Sequence, residues 1–348
     1  MKIGHKKIGN GHPPLIVAEV GQAHEGSLGL AHSYIDLASE VGADAIKFQT
    51  HFAEEESTLD ESFRVNFSYE DDTRFDYWKR MEFTPGQWEK LYEHAKEKNL
   101  IFLSTPFSIK AVNILNDIGI SAWKIGSGDT LNHELLEAVA RTRKPILLST
   151  GMSSYEDIDK SINFIKKFNK KPKLLLFQCT TKYPSSFKDI GLNVLDIFRS
   201  KYKDTLIGLS DHSGSIYPTS AAFMKGVHLV ETHICFHKSQ FGPDSSSSLD
   251  PDQFKKLVET RNIFFEMNSN PVDKNRLASN LSKTSVLFGR SACFKEPQLK
   301  GTKILKRHLT FKKPGTGIKY EDINKIIGKK LKKDKMHNRI LKWTDITD

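Results

Sequence analysis

The sequence predicts an α/β fold: a (β/α)8 TIM barrel over residues 1–268, a linker over 269–285 and a small β-rich domain over 286–348. Three observations carry this. Eight short, branched apolar runs each close on polar side chains: LIVAEV, DAIKFQT, LIFLST, SAWKIGS, PILLST, LLLFQCT, TLIGLS and VHLVETH. Helical or loop segments separate them, and strands that alternate with helices imply a parallel sheet. The count separates a closed barrel from an open doubly wound sheet.

Taken in order, MKIGHKKIGNGHPP alternates and carries an Asn10-Gly11 turn signal, as a small hairpin would; in a barrel it plugs the bottom face. Leu15 to Val20 is the first buried strand. Over 26–41, Leu30, Tyr34, Leu37, Ala38 and Val41 share one helical face. Residues 51–80 have no clean period but hold Phe63, Phe67, Tyr69, Phe75, Tyr77 and Trp78, which suggests an active-site loop. Thr84 before Pro85, with Gln87 three residues on, starts a helix that runs to Lys98. Further helices are expected near 109–118, 132–142, 154–168, 190–202, 216–225 and 251–266, and no proline lies in the interior of a predicted strand. After Asn268 the composition shifts to a linker with a short helix. LFGRSACF, KILKRHLTFKKPGTGI and RILKWTDI then read as short strands. A module of roughly 60 residues is marginal alone and should pack on its own barrel or on a second subunit.

At 348 residues, 38% hydrophobic and 27% charged, the chain can bury a large core. It has no long apolar run and no signal-like segment in residues 1–20, so a cytoplasmic protein without a membrane partner is expected. Cys179, Cys235 and Cys293 are odd in number and widely spaced, which fits buried thiols rather than a disulfide or zinc framework. The formal charge of +10 is concentrated in KKFNKKPK, Lys166 to Lys173, and KKLKKDK, Lys329 to Lys335. These runs are solvated faces or attractors of an anionic substrate or partner. Without aromatic interleaving, a recognition helix, a zinc finger or a glycine-rich dinucleotide signature, they do not read as a nucleic-acid surface.

The strand ends carry the chemistry: Glu19; Lys47 and Gln49; Ser104 and Thr105; Lys124, Ser127 and Asp129; Ser149 and Thr150; Thr180 and Thr181; Ser210 and His212; Glu231 and His233. In a parallel barrel all of these converge on the carboxyl-end face. One strand and one crossover helix separate His212 from His233, so the two emerge side by side. Two neutral imidazoles with nearby oxygens suit a divalent ion of the manganese or zinc type. A lysine inside an apolar strand is costly unless paired or bound to an anion. A buried salt bridge is one reading of Lys47 and Lys124. With the hydroxyls of Thr105, Ser127, Ser149 and Ser210 they also make a phosphate and carboxylate cage. Glu19, Asp129 and Asp244 are carboxylates for orienting hydroxyls, moving protons or holding a metal-bound water. The set suggests a phosphorylated anion joined to a metal-polarised carbonyl.

From about residue 14 to the end the chain resembles the sialic acid synthase family, which condenses phosphoenolpyruvate with N-acetylmannosamine or a related hexosamine. The resemblance rests on AEVGQAHEG, GADAIKFQT, FLSTPF, WKIGSGD, LLSTGM, CTTKYP, GLSDHSG, VETH, GPDSSSSLDP and KKPGTGI in that order. It implies that His212 and His233 ligate a divalent metal, manganese first, with magnesium or cobalt as alternatives. It implies that Lys47, Thr105, Lys124, Ser127, Ser149, Ser210 and Thr181 surround phosphoenolpyruvate. Gln49, Asp129, Tyr183 and Asp244 would face the N-acyl hexosamine or its reacting carbonyl, and Glu19 would be the acid beside the metal. The C-terminal module resembles the family's antifreeze-like (SAF) domain, which completes the site of the opposite subunit in a domain-swapped homodimer.

Departures from the family pattern all cluster toward the side where the sugar is expected, while the phosphoenolpyruvate side is intact. Lys313 stands where the family has an arginine before PG, and a point charge does not replace a planar fork. CFHK, Cys235 to Lys238, replaces a TLDK-like run. Thr181 stands for asparagine or serine, Gln178 for histidine, and Asp129 for glutamate. These predict a standard donor and an acceptor other than plain N-acetylmannosamine, such as a 6-deoxy diacetamido hexose of the legionaminic or pseudaminic type. Phe236 and the 51–80 aromatics would suit its less polar groups. The rivals are a seven- or eight-carbon sugar-acid synthase on the same barrel and a non-catalytic barrel.

Overall fold

The computed structural model describes residues 1–65 and 67–347. They form two compact units, Met1–Ser269 and Asn270–Asp348.

In the first unit a hairpin of β1 (Lys2–Ile3) and β2 (Lys6–Lys7) precedes the barrel. Its turn is Gly4-His5, because Ile3 pairs with Lys6, so the Asn10-Gly11 signal marks the turn after the hairpin instead. The barrel then runs β3 (Leu15–Gly21), α1 (Leu28–Glu40), β4 (Ala45–Thr50), α2 (Ala53–Glu56), α3 (Arg74–Met81), α4 (Pro85–Glu97), β5 (Ile101–Pro106), α5 (Ile109–Asp117), β6 (Trp123–Ile125), α6 (His133–Arg141), β7 (Ile146–Ser149), α7 (Tyr155–Phe168), β8 (Leu174–Cys179), α8 (Leu192–Lys201), β9 (Leu206–Asp211), α9 (Ile216–Met224), β10 (Leu229–Ile234), β11 (Ser248–Leu249) and α10 (Pro251–Ser269). All eight predicted strands are present, paired in parallel from β3 to β10. The β10–β3 register, Leu229 opposite Leu15 through His233 opposite Glu19, closes the ring. Pro106 ends β5, where a missing N–H is tolerated.

Local signals explain the helix starts. Thr84 and Gln87 form the predicted capping box around Pro85, and Thr73 with Asp76 and Ser154 with Asp157 repeat it at α3 and α7. The described residues of 51–80 hold more structure than a loop. Ala53, Tyr77, Trp78 and Met81 of α2 and α3 build a small core of their own, with Phe63, Phe67 and Phe75 against it. The missing period reflects two short helices joined by an irregular stretch.

Barrel strands place alternate residues inside and outside. The outward set, including Ile16, Ile46, Phe48, Trp123, Leu148, Leu176 and Val230, packs under the helices in the main core. The inward set near the amino ends, Leu15, Val17, Ala45, Ile101, Leu103, Ala122, Leu147, Leu175, Phe177 and Leu229, forms a separate cluster that Ile3 and Ile8 cap from below. The hairpin is therefore the plug expected of it. Inward residues closer to the carboxyl ends are polar.

The second unit begins with α11 (Lys274–Asn280) and α12 (Ser282–Phe288), so most of the expected linker is helical and Leu287-Phe288 belongs to a helix rather than a strand. Among its described residues regular strand is limited to β12 (Ser291–Phe294) antiparallel to β13 (Leu309–Lys312), and isolated bridges such as Gln298 to Lys335 and Leu331 to Ile346 join other segments. Ala292, Phe294, Ile304, Ile318, Ile326 and Leu341 are among its own core residues. Part of the KKLKKDK run is structural. The buried Asp345 carboxylate pairs with Lys335 and, at 3.1 Å, with Lys333, while accepting from the Lys342 amide at 2.9 Å. All three cysteines are buried free thiols. Among the described residues no helix is long and apolar enough to cross a membrane.

Candidate active site

A cavity of about 200 Å³ opens at the carboxyl ends of the barrel strands. Thirteen residues expected in the site line it. Glu19, Lys47, Gln49, Thr105, Lys124, Ser149, Ser210 and His233 come from strands, and Ser127, Asp129, Thr181, Tyr183 and His212 from the segments just beyond them. The remaining two lie elsewhere. Asp244 sits beside His233, its Oδ2 4.0 Å from Nδ1, too far for a hydrogen bond. Lys313 belongs to the second unit, where its ammonium stands 4.9 Å from the Phe288 ring centroid.

The floor is an ion network. Lys47 Nζ lies 2.7 Å from Glu19 Oε2, 3.7 Å from Glu231 Oε1 and donates to Thr105 Oγ1 at 3.1 Å. Lys124 Nζ donates to the same Glu231 oxygen at 3.0 Å, and Ser210 Oγ donates to it at 3.3 Å. Burial works against charge on Lys47, but Glu19 and Glu231 outweigh it and hold the ammonium above its ordinary value. Burial likewise opposes charge on Glu231, and Lys124 and Lys47 reverse it, holding the carboxyl well below the usual carboxylate range. Both lysines are thus in buried salt bridges and also line the cavity, so the two readings drawn from sequence are compatible.

The walls supply hydroxyls and imidazoles. Ser127 Oγ accepts from the Gly151 amide at 3.0 Å and lies 3.3 Å from Cys179 Sγ. A Cβ on Gly151 would lie 2.5 Å from Thr181 Oγ1 and 2.9 Å from Ser127 Oγ, so only glycine leaves this wall clear. Thr181 Oγ1 is buried with no hydrogen-bond partner among the described residues, which suits a donor reserved for an incoming anion. His212 Nδ1 donates to Thr180 O at 2.9 Å, since a carbonyl only accepts; this leaves Nε2 as the lone-pair nitrogen, with the Tyr183 hydroxyl 3.3 Å away. Burial first, then neighbouring His233, brings the His212 pKa down to about 3, so the ring is a neutral donor. The two histidine rings stand 5.5 Å apart, centroid to centroid. Gly21, at φ +57°, follows a bulge in β3; a Cβ there would lie 3.5 Å from each of Gln49, Asp244 and His233, so its absence opens the rim between them. Asp129 accepts from Asn132 Nδ2 at 3.0 Å, and burial raises its pKa.

This donor set fits a divalent ion. Two imidazoles face one cavity, and the neutral His212 ring has its second nitrogen locked on a carbonyl. Among the described residues no group of three or more histidine, cysteine or acidic side chains is placed to hold a metal ion, so His212 and His233 are the two nitrogen donors this site offers one.

Some expectations are corrected. Gln178 does not line the cavity; its side chain donates to Ile190 O at 3.1 Å. Phe236 packs on Tyr34, with ring centroids 4.6 Å apart, and does not line the cavity. None of the 51–80 aromatics lines it either. Glu231 is the residue sequence reasoning left without a role. Its signal was alternation: it lies two before His233 on the same inward row. Phe107 and Met152 line the cavity from loops, where no period marks them.

Residues 34–271 match the NeuB family, and the chain belongs to that family. It is an enzyme of the sialic acid synthase type. It is 31% identical to the N,N'-diacetyllegionaminic acid synthase of Campylobacter jejuni, over 92% of this chain and 98% of that one. It is equally 31% identical to human N-acetylneuraminate-9-phosphate synthase, over 93% of this chain and 90% of the relative. The crystal structure of N-acetylneuraminic acid synthetase from Leptospira borgpetersenii superposes with a TM-score of 0.72 at 30% identity, covering 82% of this chain and 96% of that one.

Proposed function

We propose that the protein condenses phosphoenolpyruvate with N-acetylmannosamine or a related N-acyl hexosamine, releasing phosphate by C–O cleavage to give a nonulosonic acid. The observation that carries this is one cavity in which Lys47 and Lys124, bridged by Glu231, face the His212 and His233 imidazoles. Lys47 and Lys124 bind the phosphate and carboxylate, with Thr105, Ser127, Ser149, Thr181 and Ser210 donating hydroxyls. Gln49, Asp129, Tyr183 and Asp244 orient the open-chain sugar. A divalent ion, manganese first, would be held by His212 and His233 and would polarise the sugar aldehyde when bound. C3 of phosphoenolpyruvate attacks the aldehyde carbon, the cation left at C2 takes water, and the adduct loses phosphate. Glu19, hydrogen-bonded to Gln49 Nε2 at 2.8 Å, positions that water or accepts its proton.

The second unit is read as an antifreeze-like domain working in a homodimer. Leu277, Leu281, Val286, Leu287 and Phe288 are exposed on α11, α12 and the turn between them, which supports a partner surface.

The test is phosphate release from phosphoenolpyruvate with manganese, offering N-acetylmannosamine and 2,4-diacetamido-2,4,6-trideoxy hexoses, with the product read by mass. Turnover with N-acetylmannosamine identifies a sialic acid synthase. Turnover only with a diacetamido sugar supports the second reading, a legionaminic or pseudaminic acid synthase, which Lys313 and Asp129 favour. In that case Lys313→Arg should raise the N-acetylmannosamine rate; no change would remove Lys313 from the argument. Silence with every acceptor would overturn the proposed substrate class.

A further inference from the structure

Behind the pocket wall a line of hydrogen bonds runs from Glu19 to a second carboxylate. Gln49 Nε2 donates to Glu19 Oε1 at 2.8 Å. Gln22 Nε2 donates to Gln49 Oε1 and lies 3.1 Å from His51 Nε2, and His51 Nδ1 lies 2.6 Å from Glu56 Oε1. Carboxylates at the two ends only accept, which sets the polarity of everything between. Glu56 Oε1 accepts from the His51 Nδ1–H, and Nε2, facing the Gln22 amide, is the acceptor. Gln22 then donates one amide hydrogen to His51 and the other to Gln49, and Gln49 must present its NH2 to Glu19. Turning any one group over would set donor against donor or acceptor against acceptor.

The His51 ring is itself clamped. It is 1% exposed and lies nearly parallel to Trp78 on one side, centroids 4.1 Å apart, and to Phe107 on the other at 4.5 Å. Phe107 lines the cavity, whereas His51 and Gln22 do not. Glu56 of α2 and Trp78 of α3 thus hold an imidazole with two outputs to the pocket lining, an amide line to Gln49 and a stack to Phe107.

We propose that His51, acting through Gln22, is a positioning residue that presents the Gln49 amide and the Phe107 ring to the acceptor sugar. The inference rests on Gln49 facing that sugar, as read above. The terminal torsion of glutamine is broad, so a Gln49 amide held by Glu19 alone is less firmly oriented, and acceptor recognition suffers while the lysine cage does not.

Three variants separate the outputs. Gln22→Met keeps length and removes the amide; His51→Phe keeps the stack and removes both nitrogens; Glu56→Gln keeps an acceptor for Nδ1 and should behave as wild type. Two readouts are taken on the full chain. Hydrogen exchange of the Gln49 side-chain amide, followed by 15N NMR, should be slow in wild type and Glu56→Gln and about tenfold faster in Gln22→Met and His51→Phe. In steady-state kinetics the latter two should lose about tenfold in kcat/KM for the sugar, with the KM for phosphoenolpyruvate unchanged. Equal exchange in all four proteins overturns the proposal. So does a parallel loss for both substrates that tracks a fall in Tm. If wild type turns over none of the acceptors, the functional reading fails, and the exchange data alone decide this inference.

Discussion

The two ends of the barrel are built on the same strands and are equally buried, yet they hold opposite chemistry. At the amino end Leu15, Val17, Ala45, Leu103, Leu147 and Leu229 meet Ile3 and Ile8 in a dry apolar plug. Two residues further along the same inward rows stand Glu19, Lys47, Thr105, Ser149 and Glu231. One end is fixed by volume, where any well-fitting side chain serves. The other is fixed by pairing, because an ammonium or carboxylate in that position is tolerated only with its counterpart. Stability and chemistry are therefore separable along each strand.

Single changes sharpen that contrast, beginning with the largest effect. Glu231→Leu removes the bridge between Lys47 and Lys124, leaving Lys124 without its carboxylate. Unfolding free energy should fall by about 3–5 kcal/mol and phosphate release should vanish. Denaturant titration and the phosphate assay check both; an active, fully stable variant would break the comparison. At the other end Ile3→Ala should cost about 2–4 kcal/mol by leaving a cavity, with kcat per folded molecule unchanged.

A pH effect comes next. His24 is completely buried; burial first, then His51 and Arg80, bring its pKa down to about 3. The folded ring refuses a proton that the unfolded chain binds below about 6.5, so His24 stabilises the native state less as pH falls from there toward about 3. Relative to His24→Phe, wild type should lose up to about 1.4 kcal/mol per pH unit in that window. Denaturant titrations of both proteins at pH 7 and pH 5 measure it; parallel curves would contradict the burial argument. Asp211, raised to about 6 by burial, acts in the opposite sense in both proteins and cancels in the difference. The smallest effect lies outside both ends: Thr84→Ala breaks an exposed capping box and should cost about 1 kcal/mol without touching activity.

The barrel was legible because its signals are local and periodic. Apolar runs of strand length ended in polar residues, and Thr84, Pro85 and Gln87 marked a helix start that the structure reproduces. The site was legible to the extent that inward alternation places strand-end side chains together. It failed for Glu231 because ion pairing across the barrel joins residues far apart in sequence, Lys124 and Glu231 among them, and no window contains both. Gln178 and Phe236 were misplaced for the complementary reason: proximity to a motif does not say which side of the backbone a side chain takes. The relay through Gln22, His51 and Glu56 left no periodic trace, since it runs through an irregular segment.

The four ionic groups of the pocket floor, Glu19, Lys47, Lys124 and Glu231, sum to no net charge. On the proposed reading an arriving anion meets no standing attraction there and trades places with carboxylates already holding the lysines. Capture is an exchange of partners, and so is release, because Glu19 and Glu231 are on hand to reclaim each ammonium as an anion departs. Long-range pull must come instead from the chain's overall +10, which counter-ions mask readily. Raising ionic strength should slow arrival much more than it shortens residence.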